Sequence, residues 1–137
     1  MAATAGHTNS LLHVTDRSTG RRFLVDTRAE LSVLSPSALE THTRSRGPTL
    51  RAANGSTIRT YGTRRAQIQI GKEKFHWRFI LASVGTTLLG ADFFRAHGLL
   101  VDIKGKRLVN ALMFHSTQLD TDLCFTTPYK RSINISA

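Results

Sequence analysis

Cysteine is almost absent from this sequence, since Cys124 is the only one in 137 residues. A single cysteine excludes an internal disulfide framework and any multi-cysteine zinc site. Long apolar runs are also missing: the best stretch, Phe79–Ala82, is strand-sized and far short of the ~20 residues of a membrane helix. The first residues lack the basic start and apolar block of a secretory signal. We therefore expect an intracellular, cytoplasmic protein without a membrane partner.

Acidic and aromatic residues are scarce. Nine Asp and Glu stand against 19 Lys and Arg, which gives a net charge of +10, and aromatic residues make up 7% of the chain. Such a positive field favours nucleic acid or acidic surfaces. The basic residues are scattered, however, with pairs at Arg21-Arg22 and Arg64-Arg65 but no block of five, and aromatic platforms for bases are not evident. A solvated basic surface is the favoured interpretation, and an RNA-binding module is an alternative.

Helical periodicity is limited in the first half of the chain, where short strands alternate with turns. Residues 11–14 and 21–25 predict a hairpin around the turn 16–20, and residues 31–34 predict a further strand. Ser35-Pro36 predicts one helical turn, with Ser35 as its cap. Asn54-Gly55 predicts a tight hairpin, because that turn requires positive φ.

The second half continues this pattern to residue 115. Alternation predicts that Ala66, Ile68 and Ile70 share one face of a strand and that Phe75, Trp77 and Phe79 share a face of the next. A short helix over residues 90–97 is stopped by Gly98, and a hairpin follows over residues 99–109. We predict a mostly β domain over 11–115, an N-terminal extension over 1–10, and an irregular polar tail or linker over 116–137.

Common constellations for phosphate and metal binding are missing. Gly71-Lys72 and Gly105-Lys106 lack the rest of a phosphate loop, and the six histidines include no pair at helical ligand spacing. We therefore expect no metal site and no cofactor.

Asp26 is the acidic residue with the most unusual position, because it directly follows the apolar strand Phe23–Val25 and precedes another apolar segment. A carboxylate at such a strand end costs free energy unless it is hydrogen-bonded, paired or functional.

Three features in this order resemble the retropepsin family, the aspartic proteases of retroviruses and LTR retrotransposons. They are Asp26-Thr27 after an apolar strand, the hairpin at Asn54-Gly55, and Leu88-Leu89-Gly90 leading into a short helix. The resemblance extends from about Leu11 to about Val109 and is nearest to gypsy-type elements. It implies a half-barrel acid protease fold with one short C-terminal helix, active as a homodimer.

The resemblance also implies roles for individual residues. Asp26 is the expected catalytic aspartate, and the active-site loop contains Thr27, Arg28 and Ala29. Thr27 is expected to brace the two active-site loops across the dimer. The flap is expected over residues 51–61, with Ala53, Asn54, Gly55 and Ser56 at its tip. Leu89 and Gly90 are expected behind the catalytic loop, and Asp92 is expected to cap the helix.

The chemistry of this family needs two carboxylates, and a two-fold dimer supplies Asp26 twice. Two close carboxylates share one proton, because both cannot ionise cheaply. The ionised one takes a proton from water, which attacks the peptide carbonyl. The expected partners are therefore a second copy of the chain and a peptide or polyprotein, and the expected location includes retroelement particles.

Arg28 departs from the family pattern, which has glycine at this position. Arginine adds bulk to the cleft, and its positive charge is expected to lower the pKa of Asp26 and to oppose proton sharing. The sequence thus leaves two main hypotheses open: an active aspartic endopeptidase, and a retropepsin-like dimerisation domain impaired by Arg28.

Overall fold

The computed structural model describes residues 8–42, 47, 49–111 and 116–125. Its first half contains β1 Thr8–Thr15, β2 Arg22–Val25, β3 Val33–Leu34, α1 Ala38–Thr41, β4 Leu50–Arg51 and β5 Thr57–Ile58. Its second half contains β6 Thr60–Ile70, β7 Glu73–Ala82, β8 Leu88–Leu89, α2 Ala91–His97, β9 Leu99–Asp102, β10 Arg107–Asn110, β11 Ser116–Gln118 and β12 Asp120–Phe125. The described residues thus form a mostly β structure, as predicted.

Seven strands form one sheet in the order β12-β1-β2-β8-β3-β7-β6. The short strand β8 lies between β2 and β3, parallel to β2 and antiparallel to β3, so Leu88 pairs with both Leu24 and Val33. A second sheet has the order β11-β10-β9, and β4 and β5 form a two-stranded hairpin. The insertion of β8 brings the end of β2 beside the start of α2, which positions the site described below.

Strand alternation places the core where the sequence predicts it. Ile68 and Ile70 of β6 and Phe75 and Phe79 of β7 are buried, while Ala66 and Trp77 are half-buried against the same cluster. The rings of Phe23 and Phe79 stack with centroids 5.8 Å apart. Since side chains of a strand alternate between faces, the opposite face of this hairpin is left to polar residues.

The predicted β1–β2 and β9–β10 hairpins are confirmed by their antiparallel pairing. The helix α2 is confirmed as well and ends at Gly98, whose φ of 65° and backbone N–H close the last turn. Asn54-Gly55 does connect two antiparallel strands, but only Gly55 has a positive φ, 88°. The Asn54 carboxamide oxygen instead accepts from the N–H and hydroxyl of Ser56.

Two predictions of local structure are wrong. The first helix does not begin at Ser35-Pro36: its N-cap is Ser37, which forms a capping box with Glu40. Residues 116–125 are not an irregular tail, because they form β11 and β12, and β12 pairs with β1. Sheet pairing satisfies backbone groups and does not require apolar side chains, so the polar composition was a poor guide. Residues 126–137 lie outside the described part.

The boundary predicted at residue 10 also falls inside an element, since β1 begins at Thr8. Residues 1–7 lie outside the described part. Over the described ranges, neither helix has the length and apolar character needed to span a bilayer. The same ranges contain no group of three or more His, Cys, Asp or Glu suited to a metal ion.

Candidate active site

Asp26 directly follows β2, and the sheet fixes its backbone. Its N–H donates to the carbonyl of Leu89 in β8 at 3.1 Å, and its carbonyl accepts from the N–H of Ala29 at 3.1 Å. The first bond continues the β2–β8 pairing, and the second closes a turn. Asp26 is only 8% exposed. The carboxyl group is therefore held at the end of a buried strand, as the apolar run before it predicts.

The two oxygens of the Asp26 carboxyl have different surroundings. Oδ1 accepts the backbone N–H of Arg28 at 3.0 Å. Oδ2 is buried and has no hydrogen-bond partner among the residues that the structure describes. A buried oxygen without a donor is costly when ionised, so the site favours a proton or an incoming donor at Oδ2.

Burial is the main influence on this carboxyl and raises the pKa of Asp26. The N–H and the guanidinium of Arg28, together with the N–H of Ala29, act in the opposite direction. The predicted effect of the Arg28 charge is therefore present, but the predicted net lowering of the Asp26 pKa is wrong. The side chain of Arg28 is exposed, and water screens its charge.

The two other residues of the loop differ in exposure. Ala29 is fully buried, and its carbonyl accepts the N–H of Ala91 at 2.7 Å. Thr27 is exposed beside Asp26. Its predicted bracing role across a dimer stays a prediction, because it requires a second copy.

Ser32 and Asp92 fasten the loop from behind, a contact that the sequence reasoning missed. The Asp92 carboxylate accepts the Ser32 hydroxyl at 2.7 Å and the Ser32 N–H at 3.1 Å. The Ser32 oxygen in turn accepts the N–H of Gly90 at 2.8 Å. Asp92 also accepts the N–H of Phe93 at 2.7 Å in the first turn of α2, although the N-cap is Gly90. The one indication of this contact in the sequence is Ser32 itself, because a single hydroxyl within the apolar segment 31–34 needs a hydrogen-bond partner when buried.

Gly90 lies directly behind the loop, where the resemblance placed it. A Cβ there would stand 2.7 Å from the carbonyl oxygen of Leu31 and 2.8 Å from that of Ala29. The φ of Gly90 is −100°, so its conformation is open to any residue. Glycine is required here for space, since β8 and the loop approach each other through their backbones. Leu89 is fully buried beside it.

The predicted flap tip forms an exposed hairpin turn. Ala53, Asn54, Gly55 and Ser56 all lie on the surface between β4 and β5. The turn is closed by bonds between Ala52 and Ser56 and between Gly55 and Ala52. None of these residues lines the cavity at Asp26. The structure therefore does not bring the hairpin tip and the carboxyl group together in the single chain.

An open cavity of about 330 Å³ contains Asp26, Thr27 and Arg28. The remaining lining is mostly apolar and comes from β1, β2 and the β9–β10 hairpin: Leu11, Leu12, Leu24, Val25, Val101, Ile103 and Lys106. Ile103 is 73% exposed, which is high for a large apolar side chain. The sequence does not mark the β9–β10 residues as part of the site, because they are far from Asp26 along the chain and belong to a separate sheet that only tertiary packing brings beside it.

Comparison with known proteins supports the fold. No protein-family model matches the sequence. The retroviral protease-like domain of Ddi1 from Leishmania major matches with a TM-score of 0.60 and 16% identity, over 80% of this chain and 94% of that one. The EIAV protease complexed with the inhibitor HBY-793 matches with a TM-score of 0.48 and 21% identity, over 72% and 95%. The first of these matches shows that the chain has a retropepsin-like fold.

Proposed function

We propose that this chain is an aspartic endopeptidase of the retropepsin type that works as a homodimer. The observation that carries the proposal is the Asp26 carboxyl group. It is buried at a strand end, its pKa is raised, and its Oδ2 faces no donor in the described part of the chain. Perturbed carboxyl groups of this kind, next to an open cavity, mark acid–base sites.

A second copy completes the chemistry. Among the described residues that line the cavity, Asp26 is the only acidic one. In the proposed dimer, two Asp26 groups share one proton across the two-fold axis. The apolar walls and the exposed Ile103 supply surface for contact with a second chain or a peptide.

Hydrolysis then needs no cofactor. The ionised Asp26 removes a proton from a water molecule, whose oxygen forms a bond to the carbonyl carbon of the peptide. The protonated Asp26 donates a hydrogen bond to the carbonyl oxygen. When the C–N bond of the tetrahedral intermediate breaks, a proton passes to the leaving amine and the products are an acid and an amine. The raised pKa of Asp26 favours the shared-proton state at mildly acidic pH.

The proposed substrate is the polyprotein of an LTR retroelement, cut in the cytoplasm or within its particles. This part of the proposal rests on the resemblance of the Asp26 loop, the Asn54-Gly55 hairpin and the Leu88–Gly90 segment to gypsy-type proteases. The hairpin is then the flap that closes over an extended peptide.

Arg28 supports a second candidate function, a dimerisation domain with impaired catalysis. Its guanidinium favours the ionised form of Asp26 and thereby opposes proton sharing. It also lines the cavity in which a peptide is expected to bind. Its exposed position favours the active alternative, since an exposed side chain can be displaced by a substrate.

Cleavage of a mixed peptide library at mildly acidic pH tests both candidates. The variants are Asp26→Asn and Arg28→Gly, and Asp120→Asn is the matched control because Asp120 is exposed at the start of β12. Activity in the native chain and in Asp120→Asn, lost in Asp26→Asn, supports the protease. Activity gained only in Arg28→Gly supports the impaired scaffold. Silence in all variants, from a chain that still dimerises, contradicts catalysis by Asp26.

A further inference from the structure

The outer face of the β6–β7 hairpin is strongly basic. The strand register places Arg65 opposite Arg78, Gln67 opposite His76, and Gln69 opposite Lys74. These six residues alternate with those that contact the core, and we call them the basic face. Four of its side chains, those of Arg65, Arg78, His76 and Lys74, are exposed and basic.

No carboxylate offsets this charge on the face itself. Both strands lie wholly within the described residues, and Glu73 is the only acidic residue on them. Glu73 pairs with Ile70 on the opposite face of the hairpin, where its carboxylate accepts a hydrogen bond from Asn110 Nδ2 at 2.7 Å. Like charges directly opposite each other in antiparallel strands are destabilising. The Arg65–Arg78 pair therefore has an electrostatic cost, which an anion placed between the two guanidinium groups would offset.

A groove lies on this face. It has a volume of about 450 Å³ and is lined by Arg65, Gln67, His76 and Arg78, with Ala66 and Trp77 completing it. The side chains of Ala66 and Trp77 contact the core on the inner side. The groove is thus bordered by residues that carry guanidinium, imidazole and carboxamide groups, a set that suits phosphate oxygens, and by the half-buried Trp77.

The spacing of these donors suits a chain of phosphates. Residues two apart on a strand are about 6.8 Å apart, and cross-strand neighbours are about 5 Å apart. The basic side chains therefore form a row along β7, Lys74, His76 and Arg78, with Arg65 beside Arg78 on β6. At the hairpin turn, Arg17 and Lys72 line another cavity of about 400 Å³, together with Glu73. Arg17 is held there by its N–H, which donates to the Gln69 carbonyl at 2.9 Å.

We propose that the basic face binds the phosphate backbone of single-stranded RNA. The choice of RNA over an acidic polypeptide follows from the composition of the face. All six side chains of the face are basic or carboxamide groups, and Trp77, which also lines the groove, packs against Phe93 and His97 on the core side. The face itself therefore presents no central apolar or aromatic anchor of a protein interface. Affinity must then come from repeated phosphate contacts and from the +10 charge of the chain. This inference is independent of catalysis at Asp26.

Fluorescence anisotropy with a labelled 20-nucleotide poly(U) RNA tests the proposal on the full chain. The variant is Arg65→Gln/Arg78→Gln. The matched control is Arg21→Gln/Arg95→Gln, which removes the same charge from exposed positions on the β1–β2 turn and α2. We expect the first double variant to weaken binding about tenfold and the control less than threefold. The logarithm of the binding constant decreases linearly with the logarithm of the salt concentration, and we expect this negative slope to become shallower by about 1.4 in the first double variant only.

Three outcomes overturn the inference: no RNA binding at 50 mM salt, equal loss in both double variants, or tighter binding of labelled poly(Glu) than of RNA. The single variants Arg65→Gln and Arg78→Gln provide a second measurement if the double variant does not fold. Each is expected to weaken RNA binding while circular dichroism stays native.

Discussion

Replacing Gly90 by alanine tests the backbone contact that supports the catalytic loop. The added Cβ meets the carbonyl oxygens of Leu31 and Ala29 at 2.7 and 2.8 Å, distances that real Cβ atoms essentially never show. Both neighbours are backbone atoms, so no side-chain rotation relieves the contact. The φ of −100° excludes conformational strain as a competing cause.

The magnitude follows from the contacts that must shift. Overpacking a close contact costs about 1–3 kcal/mol. Moving the loop away from α2 also weakens two backbone hydrogen bonds, from Ala91 N–H to Ala29 and from Asp92 N–H to Glu30, each worth about 0.5–1.5 kcal/mol. We therefore expect the Gly90→Ala variant to lose about 2–6 kcal/mol of unfolding free energy, measured by urea titration.

Gly85→Ala is the matched control, because a Cβ at Gly85 meets nothing within 4 Å and φ is not positive there. Its unfolding free energy is expected to stay within about 0.5 kcal/mol of the native value. A Gly90→Ala loss below about 1 kcal/mol, or equal to that of Gly85→Ala, would refute the steric reasoning.

Three further predictions concern polar groups. Ser32→Ala should cost about 1–3 kcal/mol, because it leaves the buried Gly90 N–H without its acceptor; a smaller loss by urea titration contradicts this role. Burial alone raises the pKa of Asp16, but hydrogen bonds from the Gln69 and Ser18 N–H groups and from the Thr19 and Ser18 hydroxyls lower it overall. Its contribution to stability is therefore present above pH 3.8 and lost as pH falls through the folded pKa. Asp16→Asn should destabilise the fold at pH 7 and show less of this acid loss in a pH series of thermal melts. Asp26 has the opposite sign: its raised pKa makes stability fall as pH rises above 3.8, so Asp26→Asn should melt higher than the native chain at pH 7 but not at pH 3. Equal melting temperatures at pH 7 would contradict the burial of this carboxyl.

The local elements of the fold follow from short-range patterns. Alternation over residues 63–70 fixes which face of β6 is buried, and Gly98 ends α2 because glycine adopts a φ of 65° without strain. The position of Asp26 after an apolar strand was also sufficient to predict a carboxyl group at a buried strand end. These features depend on residues a few positions apart, so one sequence contains the information for them.

The supports of the site depend on distant parts of the chain. Ser32 and Asp92 are 60 residues apart, and their contact exists only because β8 inserts between β2 and β3. The pairing of β12 with β1 likewise brings together residues more than 100 positions apart, and polar composition concealed it. No local pattern specifies which strands meet, because backbone hydrogen bonds are the same for every sequence.

The pKa of Asp26 depends both on the local sequence and on the tertiary structure, and the two contributions can be separated. The order of residues is enough to identify the chemical groups: a carboxyl after a strand, and an arginine two residues later whose charge acts against the rise of the Asp26 pKa. Tertiary structure decided their relative weight, because the fold buries the carboxyl and leaves the guanidinium in water. Burial removes water from the ionised carboxyl and penalises it directly, whereas water screens the exposed charge of Arg28. The net shift of the Asp26 pKa is therefore upward.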